Sequence, residues 1–238
     1  MSTARRLIAV ALATSAAMPA SLVAQQSPTP PAPAARGVVA FTGVTVLPMD
    51  RERRLAGQTV VVRDGRIVEM GPAGRVRVPA GATVVSGQGR FLMPGLAEMH
   101  AHVPPGSTTP QGIEDLMLLY VANGVTTIRG MLGAPYQLEL RTRLEKGELL
   151  GPKFYAAAPS LNGNSAPDPA TGGRLVREHR KAGYDLLKLH PGLSRATYDS
   201  IVAVARAVGI TWAGHVSEAV GIDHTLATRQ STIDHLDG

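Results

Sequence analysis

Residues 91–103 read FLMPGLAEMHAHV, an apolar run that ends on two histidines, His100 and His102. Neighbours two apart along a strand point to the same face. A strand here therefore sets two imidazoles side by side at its end. Such a pair is a poor choice for a core and a good beginning for a metal site. One pair proves nothing by itself. The weight falls on whether the rest of the chain supplies further ligands on a scaffold that brings them together.

Downstream the texture alternates strand, loop and helix. Strands are expected near residues 91, 125, 153, 185, 210 and 232, with helices over 112–124, 136–147, 174–183, 195–209 and 218–230. Six βα strands in succession describe a parallel sheet. No glycine-rich first turn supports a doubly wound sheet, so a TIM-like (β/α)8 barrel fits better. A complete barrel takes about 250 residues, and the stretch 91–238 is well short of that. The expectation is an α/β chain carrying an incomplete barrel that stops after strand six.

In such barrels the chemistry sits at the C-terminal ends of different strands. The first expected strand ends on His100 and His102, the fourth on Lys188 and His190, the fifth on His215 and the sixth on His235. His179 and His224 fall within helical patterns, where a packing or surface role is expected. Lys188 is the odd member, because DLLKLH places it inside an apolar strand covered on both faces. Burying an ammonium costs several kcal/mol unless it is paired or neutralised. Either Lys188 snorkels from the strand end to solvent, or it reacts with carbon dioxide and carries a carbamate. The second case would give a bridging oxygen ligand between two divalent ions. Four imidazoles and a carboxylate suit Zn²⁺ with open positions for water.

The segments PGLAEMHAHV, LLKLH, AGHVSE and IDHLDG resemble the amidohydrolase superfamily of metal-dependent hydrolases, nearest to its imidazolonepropionase-like and Xaa-Pro-dipeptidase-like members. The resemblance runs over residues 38–238. It implies that His100, His102, Lys188, His215 and His235 ligate two zinc ions bridged by carboxylated Lys188. It further implies a small-molecule substrate whose C–N bond, in a cyclic amide or a dipeptide, is hydrolysed by water that the ions activate. His190, two residues from Lys188 and on the same face, is the expected substrate contact, or else a supporting histidine. The loops 104–112 and 160–173 are expected to border the pocket, or to be plain surface linkage. The aspartate that ends strand eight and moves protons in the family has no counterpart, so the acid–base residue is unassigned. Asp237 should share the face of His235 but belongs to strand six. The alternative function is a catalytically inactive remnant that at most binds metal. A serine hydrolase is disfavoured, as there is no G-x-S-x-G.

The segment before the first histidine pair is of a different kind. Residues 38–90 alternate short β-branched runs with turn signals, including the Asp-Gly hairpin RDGR, and predict a small β-sandwich module. The glycines of GPAGRV and GQGR follow no strand-to-helix transition, so no phosphate loop is expected. Composition is that of a folded chain, with 44% hydrophobic and 18% charged residues. The net charge of +6 invites a nucleic-acid partner, but aromatics are only 4% and the arginines are scattered. The densest basic cluster, RERR at 51–54, reads as a solvated turn.

Arg5 and Arg6 precede the run LIAVALATSAAMPASLVA, which predicts a signal peptide over 1–24, followed by a Pro/Ala-rich linker over 25–37. An uncleaved anchor is the competing reading, weakened by Pro19 and the small polar residues in the run. There are no cysteines, which excludes disulfides and a lipid-bearing cysteine. Periplasmic or secreted localisation is expected, with no membrane partner once the signal is removed. Mass analysis of the exported protein should find a chain that begins near residue 25. Residues 1–24 intact on the exported chain would favour the anchor.

Overall fold

The computed structural model describes residues 37–104 and 109–236, all of them within the compact unit Pro31–Gly238. The expected signal peptide, most of the linker, residues 105–108 of the first loop, and Asp237 lie outside the described residues.

The first part is a five-stranded sheet. β1 (Val38–Val46) sits between β2 (Leu55–Arg63) and β4 (Thr83–Ser86), and β3 (Arg66–Pro72) flanks β2. The β2–β3 hairpin turns at Asp64 and Gly65, both with positive φ, as the Asp-Gly signal requires. Gly43, at φ 71°, is where the β1–β2 register shifts. That bulge is a position where the left-handed backbone favours glycine. Ala40 and Val61 bury one face with Val76, while Val44, Val46 and Val60 bury the other. The expected sandwich is thus, among the described residues, a single sheet. Its apolar side chains Ile67, Val68, Met70, Val84 and Val85 remain exposed.

The stretch that was expected as one strand from residue 91 is two. Pro94 lacks an amide hydrogen and interrupts the ladder. Phe91–Leu92 forms β5, which pairs with β1, and only Leu96–Ala101 forms β6. From there the βα alternation holds. α1 (Pro110–Ala122) is capped by Thr109 and stops at Asn123-Gly124. It is followed by β7 (Val125–Gly130), α2 (Gln137–Glu145), β8 (Lys153–Ala156) and α3 (Pro169–Ala182). The last of these starts earlier than expected, because Asp168 accepts from the Thr171 amide and Pro169 suits the first helical turn. β9 (Leu186–Leu189), α4 (Arg195–Val208), β10 (Thr211–Gly214) and a short α5 (Ile222–Ala227) complete the series. α5 covers only the middle of the expected 218–230 helix.

The strands run parallel in chain order. β6, β7 and β8 form one ladder, β9 and β10 another, and isolated bridges at Ala157–Leu186 and Leu161–Leu189 continue from the first to the second. The expected sixth strand near 232 is reduced to a single bridge, Ile233 to Gly214. The backbone cannot continue it, since His235 and Leu236 both have φ near +60°.

Strand parity sorts the side chains of this parallel sheet into two layers. Ile128, Phe154, Ala156, Leu187, Leu189 and Trp212 join the helices in the main core. Leu186 and Ala213 turn the other way, where they meet Met131 and Ala157. Lys188, between Leu187 and Leu189, belongs to that second face. Each buried leucine contributes roughly 1.5–3 kcal/mol, so the helix layer carries the stability and leaves the other face for chemistry. No helix among the described residues is long and apolar enough to cross a membrane.

Gly214 lets β10 close on β9. It has φ 135°, and a Cβ there would stand 2.1 Å from the Leu189 carbonyl oxygen. Gly214→Ala should therefore lower stability by at least roughly 1–3 kcal/mol in urea unfolding. Gly74→Ala, where an added Cβ meets nothing within 4 Å, should be close to neutral. Equal stabilities for the two variants would mean that Gly214 is not under constraint.

Candidate metal centre

The expected ligands come together at one end of the parallel strands. His100 lies in β6 and His102 just beyond it, His190 directly follows β9, and His215 directly follows β10. Their rings, with His235, form a chain. Centroids are 5.1 Å apart for His102 and His100, 4.6 Å for His100 and His235, 4.8 Å for His235 and His215, and 4.9 Å for His215 and His190. The backbone fixes this order, since the His215 amide donates to Leu189 and the His190 amide to Leu161.

Lys188 does not snorkel. Its side chain is 0% exposed, and its Nζ donates to Asp234 Oδ2 at 2.5 Å; the Asp234 side chain is itself only 3% exposed. Asp234 is the principal residue that sequence reasoning missed. It directly precedes His235, and in an extended strand the two side chains would face opposite ways. The usable signal was Lys188 itself, since a buried ammonium demands an anion. Asp234 Oδ2 also lies 3.4 Å from His100 Nδ1, and Thr232 Oγ1 donates to Asp234 Oδ1 at 3.2 Å.

The electrostatics follow from burial and from Lys188. Burial alone would raise the Asp234 carboxyl, but the Lys188 hydrogen bond and charge, with His100, hold it below the usual carboxylate range. Burial, and then the Lys188 ammonium, lower His100. The same two causes, with His215 and His102, push His190 down to about 4, so its imidazole is neutral at pH 7. The histidines outside the cluster behave as surface and packing residues. His224 bridges Asp199 and Arg195, and His179 stacks edge-on against Tyr184.

An adenine deaminase from Paracoccus denitrificans is 30% identical over 180 residues, which is 68% of this chain and 29% of that protein. A second, from Nitratidesulfovibrio vulgaris, is 28% identical over 207 residues, 74% of this chain and 35% of its own length. Among solved structures, a presumed prolidase from Bifidobacterium longum superposes with a TM-score of 0.71 at 25% identity, covering 81% of this chain and 53% of that one. The chain belongs to the amidohydrolase superfamily. Phenylurea hydrolase B shares the fold with a TM-score of 0.71 at 22% identity, covering 83% of this chain and 59% of that one. No protein-family model matches. The chain spans about a third of the length of the two deaminases, and little more than half of the two solved structures.

Membership of this family of hydrolases implies a divalent metal cofactor, and the residues can be tested against one. Nε2 of His100 and Nε2 of His102 are 3.1 Å apart. Two nitrogens bound at about 2.0–2.1 Å to one tetrahedral ion stand about 3.3 Å apart, so this pair fits an ion in both spacing and donor type. Asp234 beside Nδ1 of His100 favours the proton there and leaves a lone pair on Nε2, the arrangement common to histidine ligands. The fit is limited to the pair: among the described residues, no three His, Asp or Glu side chains are arranged to hold a metal ion as they stand.

The shifted groups set an acid dependence. The depressed His190 resists protonation when folded, so the unfolded chain binds protons first below pH 6.5, and stability falls from there to about pH 4. His100 and His179, also lowered, act in the same direction. Asp234 contributes stability above its ordinary value of 3.8, lost as pH falls through its depressed value. Urea unfolding of the metal-free chain should show declining stability from pH 6.5 to 4. His190→Gln should flatten part of that slope; an unchanged slope would mean that His190 titrates normally.

Proposed function

We propose that this chain carries the metal-binding end of a hydrolase that cleaves a carbon–nitrogen bond in a small molecule, on a scaffold that is part of a (β/α) barrel. The supporting observation is the chain of five imidazoles beside the buried Lys188–Asp234 pair, drawn from the ends of β6, β9 and β10 and from the segment that bridges to Gly214. The names of the similar proteins vary among adenine deaminase, prolidase and phenylurea hydrolase. What those names share is a nitrogen-containing substrate, so dipeptides and cyclic amides are the first compounds to test.

In this reading His100, His102, His215, His235 and Lys188, the last as a carbamate, would hold two zinc ions. When bound, the ions supply a Lewis acid and acidify water. The chain's own residues do the rest. Asp234 orients His100 through Nδ1. His190, neutral at pH 7, can accept a hydrogen bond from a substrate N–H or donate one to a carbonyl. Lys188 must leave its bond to Asp234 and lose its proton before it can take up carbon dioxide. Carbamate formation therefore competes with the ion pair. Under this reading the protein acts after export, once residues 1–24 have been removed.

Metal analysis of the purified chain should find zinc or another divalent ion, lost in His100→Ala and His215→Ala. Added bicarbonate should favour uptake by the unmutated chain, and Lys188→Ala should weaken it. A folded, zinc-supplemented preparation that holds no metal would overturn the proposal. Undiminished occupancy in Lys188→Ala would remove the carbamate from it. Activity, assayed on a panel of dipeptides and cyclic amides, should disappear on treatment with a chelator.

A further inference from the structure

Arg129 is the charged residue of β7, in VTTIRG. Ile128, its neighbour, is fully buried in the helix layer, so parity turns Arg129 to the face that Lys188 occupies. Its Nε donates to the Met99 carbonyl at 2.8 Å, one residue before His100. Its Nη2 donates to Thr232 Oγ1 at 3.1 Å. Having accepted that bond, the Thr232 hydroxyl spends its own hydrogen on Asp234 Oδ1, 3.2 Å away. Asp234 in turn accepts from Lys188 and faces His100 Nδ1. One guanidinium thus grips two segments that lie 30 and 103 residues from it in sequence. In the described ladders β6 pairs only with β7, so no strand pairing ties it to the 232–235 segment. The link between them runs through side chains.

We propose that Arg129 is a positioning residue that sets the distance between the His100 strand and the Thr232–Asp234 segment. Through that distance it aims the His100–His102 pair at its ion. The proposal rests on the metal-binding reading above. A planar fork suits the role, because its donors point in fixed directions towards two different acceptors, which a lysine ammonium cannot reproduce.

The test uses two variants of the full chain. Arg129→Met keeps most of the side-chain length and removes every donor; Thr232→Val is nearly isosteric and removes only the hydroxyl. In the metal-free chain, NMR of the His100 imidazole nitrogens and the Asp234 carboxyl carbon should shift in both variants, while His179 and His224 stay in place. Zinc affinity, measured against a competing chelator, should fall about 10–100-fold in each variant. The double variant should lose little more than the worse single one, since both act through one relay. Unchanged His100 and Asp234 resonances would overturn the proposal. So would unchanged zinc affinity accompanied only by a lower melting temperature, which is what a merely structural arginine would give. If Arg129→Met does not fold, Thr232→Val decides by the same two readouts. If the unmutated chain binds no zinc, the metal reading fails; the resonances of the metal-free chain then decide whether Arg129 positions His100 and Asp234.

Discussion

A lysine ammonium in a dry interior governs this architecture. Lys188 is fully enclosed, and the desolvation of its charge costs several kcal/mol, more than a single buried leucine returns. The chain meets that cost with Asp234, brought from 46 residues away. The constraint propagates from there. Asp234 must be held by its backbone, which donates to the Gly214 carbonyl, and by Thr232. Gly214 must be free of a side chain to approach Leu189. His215 and His235 flank these two positions, so their places are set by the same requirement. A buried pair of this kind is weak as a source of net stability, but removing either partner leaves the other as an uncompensated buried charge, which is strongly destabilising.

The order of βα units and the strand-end histidines were legible in the sequence because both depend on local pattern. Apolar periodicity and turn residues mark the elements, and five of the histidines fall where strands end. What escaped was long-range or subtle. The segment 232–236 has the composition of a strand, yet positive φ at His235 and Leu236 ends it after one bridge. Pro94 did announce a break that an apolar run concealed. Asp168-Pro169 is a sound helix start that was masked by the glycines after it. Asp234 and Arg129 share one lesson: a charge in an apolar strand states that a partner exists, but only the fold says which residue it is.

Membership of the amidohydrolase superfamily sharpens the meaning of the imidazole chain, and the structure in turn adds detail to the family pattern. His100 and His102 stand at a spacing compatible with one shared ion, while the remaining rings follow at ring-contact distances without converging as they stand. Beside them His190 stays uncharged at pH 7, because burial and then the Lys188 ammonium lower its pKa to about 4.

The alternation along β9 has a genetic consequence. Leu187 and Leu189 face the helices, and Lys188 faces the other way. Deleting or inserting one residue in this strand would reverse every side chain beyond the change. A leucine would then stand where Lys188 meets Asp234, and the lysine would enter the helix-packed layer. A point substitution touches one layer at a time, whereas a single-codon indel in β9 damages both at once. Natural variation in this strand is therefore expected as substitutions, with changes of length confined to the flanking loops.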